Sequence, residues 1–133
     1  GLYENFPSDL GAEGLIVEAQ APFPRFGVWI MPDNTNGGML ETFLSHLVPT
    51  EGDQRGLWAY AVQTAATAKD HGASYRPQHT DKANVHTWLA WQDPPGPPLG
   101  SACARCLAPH APTATPFVDW FIKLFELDRL GTS

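Results

Sequence analysis

Two carboxylates in this sequence could supply ligands for a divalent metal ion. Asp33 follows a strand-like apolar run, and Glu41 lies in the first turns of the helix that follows the glycine-containing turn at 33–38. Open α/β sheets bind ligands at the carboxyl ends of their strands, and Mg²⁺ is commonly held by one or two carboxylates with water and substrate phosphate. The pattern therefore predicts Asp33 and Glu41 as magnesium ligands. The alternative is ordinary turn chemistry at Asp33 and a solvated carboxylate at Glu41.

A second polar group lies where a later helix begins. Lys82 and His86 are four residues apart and so share one side of that helix, with His79 and Asp81 just before them. The alternative interpretation is structural: Asp81 caps the helix, Lys82 flanks the cap and His86 lies at the helix edge. The spacing of His79 and His86 is not that of a specific metal site.

A third group contains soft metal ligands. Cys103, Cys106 and His110 are residue types that zinc prefers. Only three ligands lie close together in the sequence, and a second cysteine pair is missing. Cys103 and Cys106 also share one side of a short predicted helix, where free cysteine behaves as a small hydrophobe. The pattern favours packing over zinc binding.

The composition is that of one globular domain. The chain has 133 residues, of which 43% are hydrophobic and 17% charged, enough to bury a core. We therefore expect a single α/β domain over residues 1–130 and a tail at 131–133. No apolar run approaches the roughly 18 to 20 residues of a spanning helix, and no basic-then-apolar leader opens the sequence. These features argue against a membrane partner and, with only two cysteines, favour the cytoplasm.

The charge balance restricts the partners further. The net charge is −6, and the eight lysines and arginines are scattered, so nucleic acid is expected to bind only through a bridging metal. The sequence contains no nucleophile elbow, no P-loop and no His-Glu-x-x-His motif. The five tryptophans are more simply explained as core residues than as stacking platforms for bases.

Periodicity and turn residues predict the elements that position these groups. Two strands are expected at residues 14–19 and 25–31. Helices are expected at 39–47, 53–72, 81–92, 99–108 and 114–127, with Asp53 capping the second of them. The third helix has apolar residues on two sides, which predicts that it is buried.

Several motifs resemble an uncharacterised bacterial family with a Toprim-like fold. They cover most of the chain, from the segment around Asp33 to the final helix. The motifs are Gly27-Val-Trp-Ile-Met-Pro-Asp-Asn34, Gly38-Met-Leu-Glu-Thr-Phe-Leu44, Lys82-Ala-Asn-Val-His-Thr-Trp-Leu-Ala-Trp-Gln92, Pro98-Leu-Gly100 and Phe117-Val-Asp-Trp-Phe121.

The resemblance implies a small Toprim-like α/β sandwich with a reduced central sheet and four to five helices. It relates the chain to the nuclease domains of overcoming-lysogenization-defect proteins, in which a lysine near the metal assists phosphate chemistry. Lys82 is the position that the resemblance offers for this role. The family opens with a strand-helix-strand unit that carries a glutamate and an Asp-x-Asp pair for magnesium. This sequence begins at Gly1, about where that unit would end, and contains no Asp-x-Asp.

Two functional hypotheses follow. The first, which we favour, is a non-catalytic or vestigial Toprim-like domain that acts through protein contacts. The second is a divalent-metal-dependent phosphodiesterase or nuclease that uses Asp33, Glu41 and Lys82, with His86 beside Lys82 and Mg²⁺ as its cofactor.

Assembly is expected to be homodimeric. A sheet that lacks the family's first strands has an open edge, and soluble proteins seldom leave such an edge uncovered. The helix at 114–127 also has an apolar stripe broader than one packing partner requires. A two-fold dimer with that helix or the edge strand at 14–19 in its interface would cover both surfaces.

Overall fold

The computed structural model describes residues 7–128. They form a small mixed α/β fold with five α-helices and one two-stranded antiparallel sheet, which confirms the predicted class with its reduced sheet. The chain divides into two compact units, which we call unit 1 (Gly1–Gly37 with Thr115–Ser133) and unit 2 (Gly38–Ala114). A single domain over 1–130 stays a prediction, and the tail at 131–133 lies outside the described residues.

Every predicted strand and helix is present, although most are shorter than predicted. Short 3₁₀ turns at Pro77–His79 and Pro112–Ala114 lead into the third and fifth helices. In chain order the elements are β1 (Leu15–Val17), β2 (Phe26–Val28), α1 (Leu40–Ser45), α2 (Gly52–Asp70), α3 (Thr80–Leu89), α4 (Leu99–Arg105) and α5 (Thr115–Phe125).

Unit 1 is a β-hairpin packed against α5. Ile16 on β1 lies opposite Gly27 on β2. A Cβ atom at Gly27 would lie 2.8 Å from side-chain atoms of both Leu124 and Trp120, so the missing side chain lets α5 approach the sheet. The indole Nε1 of Trp120 donates a hydrogen bond of 3.0 Å to the carbonyl oxygen of Leu15. The hairpin and α5 are therefore held together by close contact at Gly27 and by this hydrogen bond.

Unit 2 contains nearly all of the fully buried residues described. Its core lies where α1, α2 and α3 meet, and Trp88 on α3 is completely buried there. Ala61 and Ala65 are the buried residues of α2, and their small side chains allow α3 to pack closely. Trp58 meets Trp88 edge to face, with 6.4 Å between ring centroids. The indole of Trp88 is therefore the largest side chain at the centre of the unit.

The start of α2 differs from the prediction. Asp53 was expected to cap the helix, and this is wrong: Glu51 is the N-cap residue, and Asp53 lies in the first turn. Gly52 opens the helix with a φ of +61°, a left-handed conformation that glycine adopts without the usual steric cost. An acidic residue in the first turn still interacts favourably with the helix dipole.

The prediction that α3 is buried on two sides is also wrong. Val85, Trp88 and Leu89 are buried, whereas Ala90 is exposed and Trp91, just beyond the helix, is 39% exposed. The tryptophans at 29, 58 and 120 are half-buried. Trp91 is thus the exception to the expectation that the tryptophans form core.

Within residues 7–128, no helix combines the length and apolar character needed to cross a bilayer.

Candidate functional site

Glu41 lies where α1 faces α3, and it is buried. Only 7% of the residue is exposed, whereas its neighbour Leu40 is 41% exposed. The interpretation of Glu41 as a solvated carboxylate is therefore wrong. The physical reason is that α1 is a helix of only six residues whose Glu41 side faces Lys82 and His86 on α3.

Two basic side chains on α3 converge on this carboxylate. Lys82 Nζ lies 3.4 Å and His86 Nε2 3.7 Å from the same oxygen, Oε1 of Glu41. The spacing of one helical turn places both side chains on one face, as predicted. About half of each of these two side chains is exposed. We call these three residues the Glu41 cluster: a buried carboxylate beneath the ammonium group of Lys82 and the imidazole of His86, both half exposed at the surface.

A second polar contact ties the same two helices together. Thr42 Oγ1 donates a hydrogen bond of 2.7 Å to Asp81 Oδ2 and accepts one of 3.0 Å from the backbone N–H of Met39. The expectation that Asp81 caps α3 is wrong, because His79 is the N-cap residue and the Asp81 carboxylate faces Thr42 instead. Thr42 was not predicted from the sequence as a site residue. The local feature that could have marked it is its position three residues after Met39, the N-cap residue of α1.

The Glu41 cluster is a polar contact between α1 and α3. The ammonium group of Lys82 compensates the Glu41 charge and competes with a metal ion for the same oxygen. Among the described residues, no group of three or more His, Cys, Asp and Glu side chains is placed to hold a metal ion. The surroundings of Glu41 therefore fit a magnesium ligand poorly.

The cluster yields a prediction about charge compensation. Changing Lys82→Ala and His86→Ala together is expected to lower the free energy of unfolding by about 1–3 kcal/mol, because the buried carboxylate then lacks a cation. The lower half of that range is favoured because Lys82 and His86 are both half exposed, so solvent already screens their interaction with Glu41. Urea denaturation followed by circular dichroism measures the change.

The matched variant adds Glu41→Gln to that double substitution. Because a neutral amide needs no cation, the triple variant is expected to recover more than half of the lost stability. The prediction is wrong if the effects of Glu41→Gln and of the Lys82→Ala/His86→Ala pair on the free energy of unfolding simply add in the triple variant, because the three side chains are then not coupled.

Asp33 is at the centre of a hydrogen-bonded turn in unit 1. Its Oδ1 accepts hydrogen bonds from the backbone N–H groups of Thr35 and Asn36, at 3.1 and 2.8 Å, and from the Thr35 hydroxyl at 3.0 Å. Its Oδ2 accepts one of 2.8 Å from the Asn36 side-chain amide. These four donors occupy most of the acceptor capacity of the carboxylate. The arrangement is that of an Asx turn, the alternative interpretation of this residue.

The next residue completes the turn. Asn34 has a φ of +66°. Its backbone N–H donates a hydrogen bond of 2.7 Å to the carbonyl oxygen of Ile30. Its side-chain Oδ1 accepts a hydrogen bond of 2.7 Å from the backbone N–H of Ile30. Asparagine tolerates this left-handed conformation because its short side chain bonds locally. Asp33 belongs to unit 1 and Glu41 to unit 2, and the metal site that they were expected to share stays a prediction.

The hydrogen bonds around Asp33 predict its pH behaviour. The Asn36 side-chain amide, followed by the backbone N–H groups of Asn36 and Thr35, holds the pKa of Asp33 well below its ordinary value. A carboxyl whose pKa is lower in the folded than in the unfolded chain stabilises the fold. This stabilisation is fully present above the pKa of the unfolded chain, and it is lost as the pH falls through the pKa of the folded chain. We expect the Asp33 carboxyl resonance to titrate below the ordinary pKa of about 3.9.

The control for this titration removes the strongest donor. Asn36→Ala is expected to move the midpoint for Asp33 back toward the ordinary value. A carbon-detected NMR titration measures both proteins. An ordinary midpoint for Asp33 in the unmodified chain would contradict the turn geometry.

The cysteine group is arranged for packing. Cys103 lies in α4, Cys106 is the C-cap residue of that helix, and both thiols are free and half-buried. The Cys106 thiol donates to the Ala102 carbonyl, with 3.6 Å between Sγ and O. Burial, followed by the neighbouring Cys103, raises the pKa of Cys106. A raised pKa disfavours the thiolate that zinc or a nucleophilic reaction requires.

An apolar surface remains on α5 in unit 1. Val118, Phe121 and Phe125 lie along one face of the helix and are all exposed, Phe125 by 57%. The rings of Phe121 and Phe125 lie 4.7 Å apart between centroids. An adjacent side of α5 packs on the hairpin through Trp120 and Leu124. We call Val118, Phe121 and Phe125 the α5 apolar face.

Comparison with known proteins identifies the family of the chain. No curated protein and no solved structure matches it. A family model described as "Protein of unknown function (DUF3226)" matches residues 1–126. Because this match spans nearly the whole chain, including both units and the Glu41 cluster, the protein belongs to the DUF3226 family.

Proposed function

We propose that this DUF3226 protein is a non-catalytic, Toprim-like domain that acts through protein contacts and assembles as a homodimer. The observation that carries the proposal is the α5 apolar face, three exposed apolar side chains aligned on one helix. Contiguous apolar surface of this kind is typical of interaction sites. The Toprim-like relationship itself rests on the sequence motifs, and placement in the cytoplasm is part of the same proposal.

A second copy of the chain is the partner that this surface suits best. Apolar faces are self-complementary, so a two-fold axis can place the α5 apolar face against itself. The sheet contributes a further self-complementary element in the edge strand β1, which pairs with β2 alone among the described residues. Pairing between the edges at 14–19 of two copies is the alternative geometry for the same dimer.

The Glu41 cluster supports the non-catalytic part of the proposal. Its carboxylate is buried and already paired with Lys82 and His86, and the Asp33 oxygens are engaged by their own turn. Groups held in this way contribute to folding without needing a substrate.

Hydrogen exchange at two protein concentrations tests the dimer contact. Amides of Thr115–Phe125 are expected to become more protected as the concentration rises, because the helix is then covered by its partner. Amides of α2 in unit 2 serve as the internal control. Protection of α5 that does not change with concentration would argue against this interface.

The second candidate is a divalent-metal-dependent phosphodiesterase or nuclease that uses Asp33, Glu41 and Lys82. The convergence of Lys82 and His86 on the buried Glu41 favours it, because a carboxylate, a lysine and a histidine in contact can also perform acid–base chemistry. Incubation with plasmid or single-stranded DNA and Mn²⁺ separates the two candidates. The non-catalytic proposal predicts intact DNA. Cutting that disappears in the Asp33→Ala/Glu41→Ala variant would overturn it in favour of the enzyme.

A further inference from the structure

An asparagine–glycine pair lies at the end of the Asp33 turn in unit 1. Asn36 and Gly37 are both exposed, and no other asparagine in the sequence is followed by glycine. Asparagine is a thermolabile residue, because the backbone nitrogen of the next residue can attack its side-chain carbonyl carbon. A glycine in the next position has no side chain to hinder that approach. Asn36 is therefore the asparagine of this sequence whose neighbour hinders the attack least.

The surroundings of Gly37 leave its backbone accessible. A Cβ atom placed on this residue would meet no described atom within 4 Å, so nothing packs against it on that side. The φ of Gly37 also lies outside the left-handed region that favours glycine. Alanine can therefore occupy position 37 without a steric conflict, which makes Gly37→Ala a matched control for the chemistry of Asn36.

The other two asparagines that the structure describes are better protected. Asn84 lies in α3 with 8% of the residue exposed, and Val85 follows it. Asn34 is half-buried and hydrogen-bonded to Ile30 through both its backbone and its side chain, and Thr35 follows it. Valine and threonine are branched at Cβ, so they crowd the backbone nitrogen that would have to attack. Asn34 and Asn84 thus provide internal controls in the same molecule.

The side chain of Asn36 has a definite role in the turn. Its Nδ2 donates a hydrogen bond of 2.8 Å to Oδ2 of Asp33, and its backbone N–H donates one of 2.8 Å to Oδ1. The side-chain amide is also the strongest of the groups that lower the pKa of Asp33. Replacing this amide with a carboxylate would therefore place a second negative charge where Asp33 now has its main donor.

We propose that Asn36 is a site of spontaneous deamidation and that this modification disrupts the Asp33 turn. The backbone nitrogen of Gly37 loses its proton to solvent and forms a bond to Cγ of Asn36. The Cγ–Nδ2 bond breaks, and the side-chain nitrogen takes up a proton and leaves as ammonia. One water molecule then opens the resulting succinimide ring to aspartate or isoaspartate at position 36. The net reaction consumes water and releases ammonia, so it needs no enzyme and no cofactor.

The product does not restore the turn. A carboxylate at position 36 has no hydrogen to donate at neutral pH, and it repels the carboxylate of Asp33. Isoaspartate also lengthens the backbone by one methylene group. Because the ammonia is lost to solvent, each molecule changes once and in one direction. The inference concerns this turn alone and is independent of the proposed dimer contact on α5.

Incubation of the full chain at neutral pH and body temperature, followed by mass spectrometry of its peptides, tests the site. Position 36 is expected to exchange NH₂ for OH at least about tenfold faster than Asn34 and Asn84. Both aspartate and isoaspartate are expected, because a succinimide opens in two ways. Gly37→Ala is expected to slow the reaction at least about tenfold, since its Cβ hinders the attack on Asn36.

The urea-unfolded chain is the reference for the reaction. The proposal would be overturned if position 36 of the folded chain keeps its amide during an incubation that converts the unfolded chain, because the turn then blocks the reaction. Equal rates in the original chain and in Gly37→Ala would also overturn it. So would a product that contains aspartate without isoaspartate, because direct hydrolysis then replaces the succinimide route.

Asn36→Asp reproduces the aspartate product and tests the effect on the turn. Two carboxylates at this distance oppose each other's ionisation, so at least one of positions 33 and 36 is expected to titrate above the ordinary pKa of about 3.9. The neutral variant Asn36→Ala is expected to bring Asp33 toward that value without passing it. A carbon-detected NMR titration measures both variants. If both carboxyls of Asn36→Asp titrate at or below the ordinary value, the turn survives the modification and the proposal fails.

Discussion

Trp88→Ala is expected to lower the free energy of unfolding by about 3–5 kcal/mol, the largest stability effect of any single substitution considered. Trp88 is completely buried, and α1, α2 and α3 all pack in the core that it occupies. Removing the indole leaves a cavity that these helices cannot fill without moving. Urea denaturation followed by circular dichroism measures the loss.

Two variants make this prediction specific. The indole Nε1 of Trp88 is buried with no hydrogen-bond partner among the described residues, so Trp88→Phe removes an unsatisfied donor and is expected to cost less than half as much as alanine. Trp91→Ala, at an exposed ring, is expected to cost less than about 1 kcal/mol. Equal losses for Trp88→Ala and Trp91→Ala would contradict the placement of the core.

The second large effect concerns assembly. Phe121→Ser and Phe125→Ser together are expected to raise the dissociation constant of the dimer at least about 100-fold, which corresponds to losing about 2.7 kcal/mol or more of contact energy. Both rings are exposed and adjacent on the α5 apolar face, so a partner copy would bury them together. Sedimentation equilibrium measures the constant.

The matched control for assembly is Tyr60→Ser, which also replaces an exposed aromatic ring with serine but lies in unit 2. It is expected to leave the dissociation constant within about threefold of the original, because most surface substitutions change a free energy by less than about 0.5 kcal/mol. If the double α5 variant associates as strongly as the original chain, the interface lies elsewhere.

The elements of this protein could be predicted because their signals are local. The apolar stripe of α2, the prolines around the hairpin and the aromatic run of α5 all act within a few residues of the chain. The turn at Asp33 belongs to the same class, since the hydrogen bonds of its carboxylate among the described residues all come from Thr35 and Asn36. Turn chemistry was the alternative interpretation of that residue, and the observed hydrogen bonds are those it implies.

The Glu41 cluster could not be predicted in the same way. A helical wheel places Glu41 opposite the apolar stripe, which indicates solvent only when nothing else packs on that side. The partners of Glu41 are Lys82 and His86, about 40 residues later, and Thr42 meets Asp81 at a similar separation. Nothing in the local sequence distinguishes a carboxylate in solvent from one buried against basic side chains on another helix.

The exposure of Tyr60 and Trp91, whose rings stack on each other, was missed for a related reason. Tyr60 lies on the side of α2 that the pattern indicates as polar, and Trp91 belongs to a helix predicted to be buried on two sides. The periodicity of a sequence shows that an aromatic residue lies outside the main apolar face of its helix. It does not show whether another helix or strand covers that residue. The packing of α2 against α3 leaves this side open.

Light scattering of the unmodified chain at low micromolar concentration tests the central claim, association through the α5 apolar face, most directly. We expect a mass near that of two chains of 14.5 kDa, falling toward one chain on dilution. The Phe121→Ser/Phe125→Ser variant is expected to show the mass of one chain at the same concentration. A mass of one chain for the unmodified protein, unchanged as its concentration rises, would contradict the claim.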